Sequence, residues 1–351
     1  MGKITFECEM VTPMFMYGAD GKTPELRPAS IKGLMRFWWR AVNGDSDIEK
    51  LKKAEGEIFG STEKKSSVII RLSNKKEIEK SYSDLINEIS NYKGIKYNFY
   101  PIFMEKEKDK KNYFKSITFD LIVFSNDKKA LEEAVNSIIM LNFFGALGSR
   151  SRRGAGAIKI KVKENKDNLF QEKLGLLDTN HIKNREEFKK HIVKIKNTIN
   201  ITSTNLYTSF FKSIYILNPQ KDWKTALNII AQPFSQFRKD NEAKILETPN
   251  FGFPIRHKGS TFIGGKVNKD KLKESLDRRA SSLMFKVIKL DDNIFLPIII
   301  WMDGDFLPNG FDILKKVKKG NYECKKPNEK IIEEFFKEFN SKDYIKVENN
   351  G

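Results

Sequence analysis

At 351 residues, 39% of them hydrophobic and 27 of them phenylalanine, the chain has material for sizeable cores and a length more natural for two domains than for one. Its formal net charge of +18 and pI near 9.5 favour a polyanionic partner, nucleic acid before a membrane surface. Cys8 and Cys324 stand far apart, which excludes a disulfide framework or a cysteine-rich zinc site, and no apolar run approaches the roughly 18 residues of a membrane span. No signal-peptide pattern precedes Ile4, so a soluble protein of a reducing cytoplasm is expected.

Residues 4–11 alternate Ile4, Phe6, Cys8 and Met10 against Thr5, Glu7 and Glu9, which predicts a half-buried strand. A Gly/Pro-punctuated loop, 12–28, leads into a helix over 31–42, with Ser30 as N-cap and Asn43-Gly44 as stop signal. At 100° per residue, Ile31, Leu34, Met35, Trp38, Ala41 and Val42 share a core side. Lys32, Arg36, Trp39, Arg40 and Asn43 share the other. Three cations beside an exposed indole suit phosphate contacts with base stacking.

A short helix over 47–58 and a strand over 67–72 follow, then a helical insertion at 81–91, an extended segment at 97–104 and a charged loop at 105–111. A strand over 116–124, a helix over 127–143 and a strand over 158–162 complete the first half, in which Ile158, Ile160 and Val162 alternate with lysines to give one basic face. This β, α, β, β, α, β order is that of the ferredoxin-like fold, which alone does not establish a function.

Residues 165–205 change texture. They read as a charged connector with an amphipathic helix over 185–199, which separates a domain at 1–164 from one at 206–351. The second domain offers a strand at 206–217, a helix at 223–237, a Gly-rich basic loop at 251–266, strands at 282–290 and 295–302, a helix at 329–339 and a strand at 344–347. The expected class is therefore α+β, with two tandem ferredoxin-like, RRM-like domains carrying insertions.

The chemistry is expected in the loops. Residues 145–156, GALGSRSRRGAG, carry four glycines with Arg150, Arg152 and Arg153. Glycines such as Gly148 and Gly154 let backbone approach a ligand and expose N–H groups, while arginine adds bidentate charge. The loop leaves a helix and enters a strand, opposite to a dinucleotide fingerprint, and no Gly-Lys-Ser/Thr makes it a Walker loop. Arg256, His257 and Lys258 form a second basic cluster in the 251–266 loop.

The pair PELRPASIKGLMRFWWRAVNG and FGALGSRSRRGAGAI resembles the first subunit of the Cmr complex, a RAMP-superfamily protein of type III-B CRISPR effectors. VTPMFMYGAD, Phe59-Gly60-Ser61, FGFPI and RRASSLMFKVIK support the likeness. The resemblance implies tandem ferredoxin-like domains, other Cmr-complex RAMP subunits as neighbours, and a place holding the 3′ part of the guide RNA and its pairing with target RNA. It makes Lys32, Arg36 and Arg40, with Arg150, Arg152 and Arg153, RNA-binding residues whose phosphate contacts are salt-dependent and largely sequence-independent.

No cofactor is implied, no metal-binding spacing appears, and a non-catalytic role is expected. Asp20 lies in a loop comparable to one that carries a cleaving aspartate in related backbone subunits, and reads as a turn residue. The alternative is a stand-alone endoribonuclease processing guide RNA, for which His257 is the best general acid or base. A basic scaffold for protein partners is the third reading.

Overall fold

The computed structural model describes residues 2–104, 111–201, 210–242, 248–253, 255–257, 260–268, 271–316 and 322–349. The first half runs β1 (Gly2–Met10), α1 (Pro28–Val42), α2 (Ile48–Phe59), β2 (Ile69–Ser81), α3 (Tyr82–Glu88), α4 (Lys93–Phe103), β3 (Asn112–Ser125), α5 (Lys128–Phe144) and β4 (Ile158–Glu164). Next come α6 (Gln171–Gly175), α7 (Arg185–Ile199), β5 (Ser213–Leu217), α8 (Trp223–Asp240), β6 (Ile255–His257), β7 (Ser260–Asn268) and β8 (Lys271–Leu276). The chain closes with β9 (Leu283–Asp291), β10 (Ile294–Trp301), β11 (Asp312–Lys316), β12 (Tyr322–Lys325), α9 (Lys330–Phe336) and β13 (Tyr344–Glu348).

Strand order is β2-β3-β1-β4 in the first sheet and β13-β5-β10-β9 in the second, with every neighbour antiparallel. Taken as four strands each, both are the ferredoxin-like arrangement. A third sheet, β12-β11-β7-β6 with β8 beside β7, is inserted into the second half.

The two ferredoxin-like units share one core. Helix α5 is buried on all sides from Ala134 to Phe144, as a helix apolar all round requires. Its residues cluster with Ile4 and Phe6 of the first sheet and with Ile214, Ile298 and Ile300 of the second. The second sheet's other face, with Leu283, Phe285 and Ile299, packs with Leu227 and Ile230 of α8 and Phe335 of α9. Between the halves, Lys286 of β9 donates its Nζ to the Leu141 and Gly145 carbonyls at the C-terminus of α5, where the helix dipole favours a cation. Burial pushes that ammonium down to about 7. Lys159 Nζ donates to Leu290 O at 2.8 Å, so the expected basic face of β4 is partly spent inside the protein.

Several elements depart from the sequence reading. Helix α1 begins at Pro28, with Arg27 as N-cap and no side-chain cap; proline's fixed φ suits the first turn, so Ser30 lies inside the helix. Residues 97–103 belong to a helix, not an extended segment, because α4 packs closely on α8: a Cβ on Gly94 would stand 2.3 Å from Gln232 N. Within the expected basic loop at 251–266, Ile255–His257 and Ser260–Asn268 are strands. The charged segment 105–110 and the predicted strand start at 206–209 lie outside the described residues.

His191 on α7 is 4% exposed, and its Nε2 lies 2.9 Å from Leu176 O, while exposed His181 has its ring 5.7 Å away. Burial holds the His191 imidazole down at about 4 against the opposing effect of the Leu176 carbonyl. The unfolded chain takes up this proton near pH 6.5 and the folded chain does not until about pH 4, so stability falls as pH drops through that window. Between pH 7 and 4.5 the wild type is expected to lose about 2 kcal/mol more than His191→Gln. Denaturant midpoints at the two pH values check this; equal losses would sink it.

Candidate nucleic-acid interface

The cations of α1 are engaged within the protein. Arg36 Nε and Arg40 Nη1 both bind the carboxylate of Glu55, which is 6% exposed on α2, and Arg36 Nη2 also donates to Gly60 O at 2.9 Å. Lys32 Nζ donates to Ser66 Oγ at 2.5 Å and Val68 O at 3.2 Å. Trp39 is not exposed. It is 5% accessible, with its Nε1 donating to Glu133 of α5 at 3.0 Å, because α5 packs against the Trp39–Asn43 end of the side that the wheel leaves to solvent. This face clamps α2 and the segment after it to α1.

The double substitution Arg36→Ala/Arg40→Ala strands a buried carboxylate, so it is expected to cost about 3 kcal/mol while leaving affinity for RNA unchanged. Unfolding midpoints and a binding isotherm measure the two quantities; lost affinity at wild-type stability would reverse the assignment.

The glycine loop does a different job. Phe285 N donates to Arg152 O at 3.2 Å, and Arg153 forms a parallel bridge with Phe285 on the edge of β9. Gly148 and Gly154 take positive φ values of 80° and 91°. Several of the loop's N–H groups bond within the protein: Ser149 N donates to Phe15 O, Arg153 N to Arg150 O, Gly154 N to Ser151 O and Gly156 N to Pro13 O. Gly154, one of the glycines expected to show its N–H to a ligand, therefore spends it inside the loop. The arginine side chains carry the charge.

Those side chains line a cleft of about 760 Å³ between the two halves. Its walls are α4, through Tyr97, Tyr100 and Pro101, the glycine loop, Phe234 and Arg238 of α8, residues 251–253 and residues 278–281. Among the described residues six arginines line it, Arg150, Arg152, Arg153, Arg238, Arg278 and Arg279, and no carboxylate residue does.

Arg150 donates from Nε to Asn98 O at 2.8 Å, and Arg152 donates to Ser281 O. Arg153 reaches Phe251 O at 2.5 Å and Ser281 Oγ at 3.2 Å, its guanidinium 4.7 Å from the Phe234 ring centroid and 5.3 Å from that of Phe285. Arg279 donates to Phe306 O at 2.6 Å, and Arg238 to Thr248 O at 3.0 Å. Carbonyls and rings orient these cations without neutralising them.

Burial pushes Arg153 down to about 9, with Arg150 and Arg238 adding to the effect, and Arg152 to about 10, with Arg279 adding. Both stay charged at neutral pH. The cleft is therefore a focused positive field that an anion would relieve.

Arg238, Arg278 and Arg279 were not among the expected site residues. The Arg278-Arg279 doublet is visible in the sequence, but nothing local marks Arg238 or the tyrosines of α4. Of the second expected cluster, Arg256 and His257 have their backbone in β6, paired with Thr261 and Ser260 of β7, and Lys258 lies outside the described residues. Asp20 accepts from Lys22 N, Thr23 N and Thr23 Oγ, which hold its carboxyl down at about 2, the Thr23 hydroxyl first. Among the described residues, no group of three His, Cys, Asp or Glu is placed to hold a metal, and no helix is long and apolar enough to cross a membrane.

A RAMP superfamily model matches residues 7–159. The CRISPR system Cmr subunit Cmr1-2 of Pyrococcus furiosus is 34% identical over 184 residues, 46% of this chain and 97% of that protein. Cmr1-1 of the same organism is 29% identical over 328 residues, 86% of this chain and 88% of that protein. Among solved structures, the fold is similar to that of Cmr1 from Pyrococcus furiosus in its apo form, with a TM-score of 0.64 at 23% identity over 99% of this chain and 98% of that one. It is also similar to a chain of the type III-B Cmr-beta complex bound to cognate target RNA and AMPPnP in the presence of ssDNA, with a TM-score of 0.61 at 13% identity over 96% and 98%.

Proposed function

This chain belongs to the RAMP superfamily and, within it, to the Cmr1 subunits of the CRISPR Cmr system, and on that premise we propose that it is a non-catalytic RNA-binding subunit of a type III-B effector complex. It holds the 3′ part of the guide RNA, its target RNA, or both, beside other RAMP subunits, in antiviral defence. The observation that carries this reading is the cleft whose lining, among the described residues, holds six arginines and no carboxylate. Cations gathered without counter-charge repel one another and lose hydration, a cost that a bound polyanion removes. Phosphate contacts of this kind are blind to base identity, which suits a subunit serving guides of any sequence.

In support of the non-catalytic part, Asp20 has its carboxylate occupied by the turn it closes; the role of His257, whose backbone lies in β6, is decided by the cleavage test below.

The test is binding of the full chain to unstructured single-stranded RNA across a salt series. Log affinity is expected to fall linearly with log salt, by about 0.7 for each phosphate neutralised, and to be alike for unrelated sequences. Absence of salt-linked binding would overturn the reading. Cleavage of labelled repeat RNA by the pure protein would overturn its non-catalytic part.

A further inference from the structure

We propose, resting on the RNA-binding reading above, that the cleft takes RNA as one unpaired strand, bases stacked on α4 and phosphates on the arginine floor, and that it does not seat a duplex. On α4, Tyr97, Tyr100, Pro101 and Met104 fall at i, i+3, i+4 and i+7, one stripe of the helix. The opposite side of the helix, with Ile95, Asn98, Phe99 and Ile102, is buried. The stripe is left open: Tyr100 is 58% exposed and Met104 62%. Among the described residues, Tyr100 is the sole large aromatic side chain so exposed. Tyr97 is half-buried, its ring edge-on to Phe234 with centroids 6.0 Å apart, and so continues the apolar wall down toward Arg153.

An aromatic platform beside a recessed cationic floor matches what a single strand offers, a free base face on one side and a phosphodiester on the other. A duplex offers neither in this form. Its bases are stacked on one another, leaving no face for Tyr100, and its phosphates and 2′-hydroxyls lie on a convex surface read by shape. Arg153, between the rings of Phe234 and Phe285 and bonded to Phe251 O, is set back from any such surface. The volume of about 760 Å³ lies in the range of small-molecule pockets, room for single nucleotides entering one at a time.

The experiment measures binding of the full chain to an unstructured single-stranded RNA and to a blunt RNA duplex of equal length, each across a salt series. The proteins are wild type, Tyr100→Ala and Tyr100→Phe, with the unfolding midpoint of each as a control on folding. The wild type is expected to bind the single strand at least about tenfold more tightly than the duplex at equal salt. Tyr100→Ala is expected to lose at least about fivefold for the single strand, with unchanged salt slope, since stacking releases no counterions, and unchanged duplex binding. Tyr100→Phe keeps the ring and the affinity.

Equal affinity for duplex and single strand, or no loss in Tyr100→Ala, overturns this inference and leaves the RNA-binding reading standing. Absence of salt-linked binding to either form overturns that reading and this inference with it.

Discussion

Gly156→Ala is expected to remove more than about 4 kcal/mol of stability, a large part of the roughly 5–15 kcal/mol typical of a folded domain. Gly156 sits at φ +67°, and a Cβ there would lie 1.8 Å from Leu147 O and 2.8 Å from Leu147 C. An alanine at this φ already costs about 1–2 kcal/mol. The clash adds more because its target is backbone held in place: Leu147 N donates to Gly156 O and Gly156 N to Pro13 O, both at 2.8 Å. Relief requires breaking the contacts that tie the glycine loop to the segment after β1, and the loop in turn docks on β9. Gly33→Ala is the control. That glycine is exposed on α1 with nothing within 4 Å of its Cβ position, so alanine should stabilise by up to about 1 kcal/mol. Denaturant unfolding compares the two variants; a wild-type midpoint for Gly156→Ala would refute this account of the loop.

The parts of the fold that local chemistry decides were legible in the sequence. The alternation of Ile4, Phe6 and Cys8 is the buried face of β1, the helix expected over 127–143 is α5, and the element order gives both ferredoxin-like sheets. What was not legible depends on partners distant in sequence. The wheel of α1 separates Trp38 from Trp39 correctly, yet both are buried, because Glu133 of α5 waits for the Trp39 indole. Residues 97–104 are rich in aromatics and contain Pro101, so they read as extended, and only the close seat of Gly94 on α8 makes the helix.

The density of arginine in the glycine loop was visible; which way each guanidinium turns was not. Arg153 depends on Phe251 and Ser281, about a hundred residues away or more. The α1 cations and the loop cations look equivalent in sequence. In the fold, Glu55 pairs with Arg36 and Arg40 of the first set, while among the described residues no carboxylate stands in the cleft lining beside the second.

That contrast yields the second large effect: Arg238→Gln/Arg278→Gln is expected to lower affinity for single-stranded RNA on the order of tenfold near physiological salt and to reduce the salt slope by about 1.4, two contacts at about 0.7 each. These two arginines are chosen because the fold leans on them least. Arg278 is exposed, and Arg238 donates, among the described residues, to Thr248 O at 3.0 Å and lies 5.7 Å from the Phe251 ring, whereas Arg152 and Arg153 bind the start of β9. Arg238 also repels Arg153, so its removal returns part of what the lost bond costs, and stability should stay within about 1 kcal/mol of wild type. The Arg36→Ala/Arg40→Ala variant should do the opposite, losing stability and keeping affinity and slope. Affinity and stability would then separate onto two arginine clusters that composition alone cannot tell apart. Were the Arg238/Arg278 variant to bind RNA with wild-type affinity and slope, the RNA would run over another part of the +18 surface and the cleft would be reduced to a joint between the two halves.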